Sequence, residues 1–455
     1  MYQIPEDVQE VLTKLRSAGR EAWCVGGCVR DLLLGRTPGD WDITTSALPE
    51  ETMAVFGDRA VPTGLRHGTV TVRTIQRPVE ITTYRCDGAY ADHRHPQQVT
   101  FTRSLEEDLR RRDFTVNAMA LSEAGEVRDP FGGRADLERK VLRCVGDPDR
   151  RFDEDALRML RGLRFAAALD FAIDPATADS IHRNAYLLKE VAAERIRVEL
   201  EKLLVGLAAA RVLRRFPDVV GVFLPEVLPA VGFDQRNPHH CYDVWEHTLH
   251  SVEAAPPDVV LRMTMLLHDL GKPACFTVDG KGVGHFYGHH TVSRQIAEKA
   301  LDRLRFDHDR KQTIVTLVDN HDRLLPPEEK TMRRALRKFG EGDLRRLLAV
   351  KRADNLAQAP AYRDRLKELD AAEALLEQLL REEACFSLKQ LAVNGRDLLA
   401  LGFQGPAVGR MLERLLDAVV DGTLENRREV LLKAVQSWEK VQRTGAVGKI
   451  DEKTL

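Results

Sequence analysis

The chain has no run of about 18 consecutive apolar residues, so no membrane-spanning helix is expected. Its seven cysteines are odd in number and scattered, and Cys24 and Cys28 lack zinc-knuckle spacing. A complete disulfide framework is therefore not expected, and a reducing cytoplasm fits best. Basic charge is not in excess: 68 Lys and Arg against 70 Asp and Glu leave a formal net charge of −2. Nucleic-acid binding, if any, must then rest on local patches. The opening MYQIPEDVQEVLTKL is acidic and amphipathic, unlike the basic-then-apolar order of a secretory signal. Aromatic residues make up only 6% of the chain, and strand signals fade after the first third, which points to a largely helical remainder.

What is present is a soluble globular composition, 43% hydrophobic and 30% charged over 455 residues. That length exceeds what one core usually supports, so several domains are expected. Val8, Val11, Leu12 and Leu15 share helical spacing. A short strand, AWCV, then runs into Gly26 and Gly27, and a helix through VRDLLLG should end at Gly35. GTVTVRT and PVEITTYR alternate as strands, whereas CDGAYADHRHPQQVTFTRS (86–104) is polar and turn-rich and reads as a mobile loop. From DEDALRMLRGLRF onward nearly everything reads helical. The stretch MRRALRKFGEGDLRRLLAVKR (332–352) is dense in Arg and Lys, and by itself reads as a solvated helix face.

The stretch WCVGGCVRDLLLGRTPGDWDITT joins two chemistries. Gly26 and Gly27 let backbone approach a phosphate without a Cβ in the way, and the helix start that follows favours an anion. Arg30 could fork onto that phosphate. Asp40 and Asp42, two apart on an extended strand, would face the same side and offer hard oxygen ligands suited to Mg²⁺.

VGGCVRDLLLG…DWDITT, DLRRRDFTVNAMA, RDPFGGRADLERKVLRCVGD and FDEDALRMLRGLRF together resemble the class II tRNA nucleotidyltransferases. These CCA-adding enzymes are grouped with bacterial poly(A) polymerases in the polymerase β-like superfamily. The resemblance implies an α+β fold: a nucleotidyltransferase head with a mixed sheet, then helical neck, HD and tail domains. The expected segments are 1–148, 149–235, 236–356 and 357–455. Gly27 and Arg30 would contact the triphosphate, with Gly26 beside them, and Asp40 and Asp42 would bind the catalytic metal. Arg112 would be a further triphosphate or primer contact, with Arg111 as its alternative. Glu80 reads equally as a third carboxylate and as a surface strand residue.

The resemblance also gives Asp155 and Arg158 the task of choosing the base. Three apart, they would share a helix face. A carboxylate accepts and a guanidinium donates, which matches the pairing edges of cytosine and adenine and mismatches guanine and uracil. An ordinary intrahelical ion pair is the competing reading. Arg161 and Arg164 would extend the positive face toward phosphates.

HHCYDVWEHTLHS, LLHDLGK, GHHTVS, DNHD and KRADN follow in an order that resembles HD-domain metal-dependent phosphohydrolases. By that resemblance His247, His268, Asp269 and Asp354 are the core ligands. His289 or His290, with His321, would serve a second metal or a phosphate, and Lys272 could meet a substrate phosphate. Imidazole and carboxylate suit Mn²⁺, Ni²⁺, Zn²⁺ or Fe. His239, His240, His250 and His308 read as satisfied core histidines. Val408, Met411, Leu412, Leu415, Leu416 and Val419 form a core stripe, in a region that resembles the tRNA-gripping tail of CCA-adding enzymes. That likeness would give the basic run at 332–352 a phosphate to contact.

The expected activity is template-independent addition of CMP and AMP, from CTP and ATP, to the tRNA 3′ end with Mg²⁺. Expected partners are tRNA, ATP and CTP, with neither DNA nor membrane. An A-only tRNA-adding enzyme or a poly(A) polymerase is the first alternative, and an RNA-binding HD phosphohydrolase or phosphodiesterase the second.

Overall fold

Val8, Val11, Leu12 and Leu15 form one apolar stripe, and helix α1 (Glu6–Ser17) buries all four. This is a computed structural model; it describes residues 2–88, 99–382 and 385–443. After α1 come β1 (Ala22–Val25), α2 (Gly27–Leu33), β2 (Asp42–Thr45) and α3 (Pro49–Phe56). Strands β3 (Ala60–Gly64), β4 (Thr69–Arg73) and β5 (Pro78–Thr83) follow, then a small pair, β6 (Arg85–Asp87) and β7 (Val99–Phe101). Helix α4 (Leu105–Arg110), β8 (Ala120–Leu121) and β9 (Val127–Arg128) complete the main sheet. Its seven strands run in the order β3-β4-β5-β2-β1-β8-β9, antiparallel except for the parallel β2–β5 pair.

The sheet has two unequal faces. Ala22, Cys24, Ile43 and Ile81 point into the large core shared with α1. The opposite face carries only a small cluster, Trp23, Val25, Tyr84, Leu109 and Ala120, partly covered by α4. Register places Asp42 opposite Val25 on one side and Glu80 on the other, so both acids lie on this thinly covered face.

Three local expectations are corrected. Asp40 lies in a bend, because β2 begins only at Asp42. The segment read as a loop from 86 to 104 contains paired strand residues, Cys86 with Thr100 and Asp87 with Val99, while 89–98 lie outside the described residues. The helix expected through EDALR is broken: one helix, α5 here (Pro148–Glu154), ends before Asp155, whose φ of −144° and ψ of 101° are extended. Helix α6 (Leu157–Leu169) starts after it.

Beyond residue 174 the described chain is helical apart from one short hairpin, Thr277–Val278 with Gly284–His285. Helix α7 (Ala193–Leu204) packs on α6, and α8 (Val244–Ala254), α9 (Val259–Leu267), α10 (His289–Arg303) and α11 (His308–Asn320) build the region of the histidines. Acidic side chains cap three of these: Asp243, Asp258 and Asp307 accept from the backbone N–H groups of Glu246, Leu261 and Arg310 at 2.7, 3.0 and 3.0 Å.

The basic run at 332–352 lies on the long helix α12 (Glu329–Leu356), interrupted at Gly340, whose φ of 70° is left-handed. Several of its arginines stay exposed but are tied to carboxylates of other helices. Arg334 meets Asp421 at 2.7 Å, Arg337 meets Glu413 at 2.7 Å, and Arg352 meets Asp370 and Glu373 at 2.6 and 3.0 Å. Arg345 pairs with Glu377. These carboxylates lie on α13 (Arg365–Arg381) and around α14 (Pro406–Val420), so the run clamps helices together. Met411, Leu415, Leu416 and Val419 are buried in a separate small core, with Val408 and Leu412 at its edge, as their spacing predicts.

Candidate active site and a buried histidine–aspartate centre

Strand β1 ends at Val25, and Gly26 turns the chain into α2 with a φ of +78°. A Cβ there would lie 3.1 Å from Arg112 Nη1 and 3.8 Å from Asp42 Oδ2. Glycine is thus required twice, for the left-handed backbone and for the close approach of a guanidinium. The same contacts bring Arg112, distant in sequence, to Gly26 and Asp42.

Asp42, Asp40 and Glu80 form a loose acidic group on the open face. Burial raises the Asp42 carboxyl above its ordinary value, Arg112 pulls it down, and Glu80 and Asp40 push it up. The register pair Asp42–Glu80 favours the carboxylate reading of Glu80 over the plain surface one. Among the described residues these three acids do not close to within 4.8 Å of one another, a spacing the histidine centre does reach.

The arginines are held by buried acids. Asp108 accepts from Arg111 Nε and Nη2 at 3.0 and 2.8 Å, from Arg112 Nη2 at 3.5 Å and from Thr44 Oγ1 at 3.0 Å. Burial would raise its pKa, but Arg111 and Arg112 outweigh that and lower it. Arg112 Nε is buried without a hydrogen-bond partner, leaving it a donor to spare. Asp113 accepts from Arg161 Nε and Nη2 at 2.9 and 2.7 Å, and burial notwithstanding, Arg161 and Arg158 lower its pKa to about 2. Such a depressed carboxyl stabilises the fold above the unfolded value and loses that contribution as pH falls through the folded value. Asp113→Asn should therefore cost about 2 kcal/mol at neutral pH. In parallel thermal melts its deficit against the wild type should vanish as pH falls from about 4 to about 2.

Arg30 is buried and committed, donating to Asp31 Oδ1 at 2.9 Å and to Asn117 Oδ1 at 2.8 Å. Asp155 and Arg158 do not make the intrahelical ion pair of the competing reading. Arg158 donates to Glu154 Oε2 at 2.8 Å and to the carbonyls of Arg151 and Arg111, whereas Asp155 pairs with Arg195 at 3.4 Å. They remain on one turn, because the Arg158 N–H donates to the Asp155 carbonyl at 3.0 Å. Arg164 faces Glu199 at 2.7 Å and lies 4.0 Å above the Phe165 ring, so its charge is partly spent inside the protein.

The second constellation closes on Asp269. Its Oδ2 lies 3.3 Å from the Nε2 of both His247 and His268, and Asp354 Oδ1 lies 3.0 Å from His247 Nε2. Its Oδ1 faces His289 Nε2 at 3.4 Å and His321 Nε2 at 3.6 Å. His290 instead pairs with Asp322 at 3.3 Å, so the geometry selects His289 for the second group. The Nδ1 atoms of His268, His289 and His321 lie 2.7, 2.9 and 2.7 Å from the carbonyls of Met265, Phe286 and Val318. A carbonyl only accepts, so each Nδ1 carries a proton and each Nε2 turns inward, where it offers a lone pair once the ring is neutral. The Nε2 atoms of His289 and His321 then oppose each other at 3.2 Å, beside the buried carboxylate of Asp269. That donor set fits a cation. A cavity of about 560 Å³ opens beside it, lined in part by Lys351, Arg365 and Tyr287.

Other readings in this region change. Lys272 is buried against Asp269 Oδ2 at 2.7 Å and Gln235 Oε1 at 3.0 Å, so its charge is used within the centre. None of the four histidines read as core is fully buried. His239 and His308 are exposed, His250 is half-buried on Tyr242, and His240 lies against His247 with its rings 5.2 Å apart. Sequence reasoning overlooked Asp108 and Asn117. The i, i+3 spacing of Asp108 and Arg111 was a usable signal, whereas nothing local marks Asn117.

A seven-stranded mixed sheet carrying a glycine turn, adjoining acids and a guanidinium, followed by helices, defines a nucleotidyltransferase of the poly(A) polymerase head class. Residues 22–143 match the family model of the poly A polymerase head domain. Residues 170–218 match a probable RNA and SrmB-binding site of polymerase A, and 287–435 a putative domain 2 of tRNA nucleotidyltransferase. The chain is 36% identical over 440 residues to the CCA-adding enzyme of Limosilactobacillus reuteri, covering 96% of this chain and 97% of that one. It is 52% identical over 216 residues to that of Geobacillus stearothermophilus, 47% of this chain and 53% of the relative. The structure of the Bacillus stearothermophilus CCA-adding enzyme in complex with CTP superposes with a TM-score of 0.75 at 32% identity, covering 97% and 100%. The chain belongs to the CCA-adding enzyme family.

Proposed function

We propose that this chain is a template-independent CCA tRNA nucleotidyltransferase, transferring CMP and AMP from CTP and ATP to the tRNA 3′ end and releasing pyrophosphate. The observation that carries the reading is the 36% identity to a CCA-adding enzyme across 96% of this chain. A solved relative bears CTP in its structure, which supports the nucleotide assignment. The full-length likeness to CCA-adding enzymes favours this reading over A-only addition or poly(A) synthesis.

In this reading Asp40 and Asp42, with Glu80, hold Mg²⁺, which supplies charge neutralisation to the phosphoryl oxygens when bound. Gly26 and Gly27 bring backbone N–H groups to the triphosphate, and Arg112, Arg111 and Arg30 balance its charge. Asp155 and Arg158 read the base, and Arg161 and Arg164 hold the helix that carries Arg158. Catalysis is mostly fixed electrostatics around an in-line displacement. Head 1–148, neck 149–235, HD segment 236–356 and tail 357–455 remain the proposed division, with a tail that grips tRNA and a cytoplasmic location. Among the described residues no helix is long and apolar enough to cross a membrane.

Incubation with tRNA lacking its 3′ end, Mg²⁺, and CTP or ATP, separately and together, tests the reading. Two additions are expected with CTP and three with both. Addition of A alone to a CC-ended substrate would reduce the activity to A-only, and no extension at all would promote the hydrolase alternative.

A second activity is proposed for the HD-like centre, because the Nε2 atoms of four histidines converge on the two oxygens of buried Asp269. His247, His268, Asp269 and Asp354 would hold a transition metal there, with His289 and His321 at a second position. Burial lowers the His268 pKa, but Asp269 and Asp354 outweigh it and raise it to about 10. A ligating imidazole must be neutral, so loading Mn²⁺ or Ni²⁺ into chelator-treated protein at pH 7 should release about one proton. Calorimetry in buffers of different ionisation enthalpy measures that number, and His268→Ala should abolish it.

A further inference from the structure

Arg30 and Arg161 lie on two different helices beside the proposed nucleotide site, and one small side chain joins them. Asn117 Oδ1 accepts from Arg30 Nη1 at 2.8 Å, and its Nδ2 donates to Asp113 Oδ1 at 3.2 Å. The other oxygen of Asp113 holds Arg161 bidentately, at 2.9 and 2.7 Å. Asn117 is 6% exposed and Asp113 7%, so the bonds form out of solvent. The amide orientation is fixed by chemistry, since a guanidinium only donates and a carboxylate only accepts. Both guanidiniums also pack on one ring, Arg30 at 5.1 Å and Arg161 at 5.5 Å from the Phe165 centroid.

The connection joins three separate segments of the chain. Arg30 lies on α2 behind the glycine turn, Asn117 follows the RRDFT segment, and Arg161 lies on α6, which also carries Arg158. We propose that Asn117 is a positioning residue that locks the triphosphate-side Arg30 to the base-reading helix through Asp113 and Arg161. The inference rests on the nucleotidyl-transfer reading above. An amide suits the junction because it presents an acceptor to the cation and a donor to the anion. Aspartate can do only the first, and alanine neither.

The test compares Asn117→Ala and Asn117→Asp with the wild type in two assays. One is CTP affinity without tRNA; the other is single-nucleotide addition of CTP, ATP, UTP and GTP to tRNA lacking its 3′ end. Asn117→Ala should weaken CTP binding and raise KM for CTP and ATP about tenfold, the scale of one hydrogen bond to a charged group, with kcat changed far less. UMP and GMP misincorporation relative to CMP should rise as well. Asn117→Asp keeps the Arg30 partner, so its CTP affinity should stay near wild type while misincorporation rises. A fall in kcat and melting temperature with unchanged KM and selectivity would reduce Asn117 to a structural residue. If Asn117→Ala does not fold, Asn117→Asp decides alone: wild-type selectivity overturns the proposal. Wild-type protein that binds CTP but extends no tRNA overturns the transfer reading instead, and the affinity comparison still stands.

Discussion

Asp42→Ala is expected to lower nucleotide addition by about 10³-fold or more, the ~4 kcal/mol of transition-state charge stabilisation that a metal-binding carboxylate secures. The fold should not suffer. Asp42 is exposed as a residue, yet partial burial of its carboxyl is the main cause that raises it above the ordinary value; Arg112 opposes this, and Glu80 and Asp40 add to it. A carboxylate raised in this way stabilises the fold only below its unfolded pKa, and that gain is lost as pH rises through the folded value. At neutral pH the ionised acids repel one another, so the variant should melt at the wild-type temperature or slightly above it. Mg²⁺ binds only the ionised acids and should raise the wild-type melting temperature while leaving that of Asp42→Ala unchanged. Addition assays and melts with and without Mg²⁺ provide both readouts. A variant that retains transfer would remove Asp42 from the metal site. One that unfolds would give it a structural role that its exposure does not suggest.

The parts of the site that could be read from sequence are those whose partners are close in the chain or whose residue type is restrictive. Gly26, Gly27, Asp40 and Asp42 fall within one short window, and the positive φ at Gly26 is the conformation a glycine there signals. The histidine set was legible because imidazole and carboxylate recurred in order, and the structure closes four of those imidazoles on Asp269 or its neighbour Asp354. Other features depended on distant contacts. Thr44 and Asp108 are 64 residues apart, and Arg30 and Asn117 are 87 apart. The choice between His289 and His290 rests on where a helix starts after Gly288, which periodicity does not resolve. The acidic partners of the basic run were hidden for the same reason. Arg334 looks free until Asp421, 87 residues on, folds against it. The extended backbone at Asp155 was hidden because a three-residue spacing fits a turn as well as a continuous helix.

That break bears directly on the second large effect. Asp155→Ala combined with Arg158→Ala should raise UMP and GMP addition relative to CMP and AMP by about 10²-fold, since rejection by unpaired polar groups is the strong form of discrimination. Asp155 lies in the extended joint between two helices and Arg158 in the second, but both are held on one turn, with Asp155 Oδ1 accepting from the Leu157 N–H at 3.1 Å. Asp155 anchors to Arg195 and Arg158 to Glu154, so each is oriented by a partner other than the second reader. Removing Arg158 leaves Glu154 still paired with Arg151 at 2.5 Å, so no buried carboxylate is stranded and the double variant should fold. Each single variant should affect one side of the pairing edge. Asp155→Ala loses the acceptor facing an amino group, and Arg158→Ala loses the donor facing a ring nitrogen or carbonyl. Primer-extension with each of the four nucleoside triphosphates measures both. A double variant that still adds only C and A at wild-type rates would show that the base is chosen elsewhere, and that Asp155 and Arg158 merely close the joint between two helices.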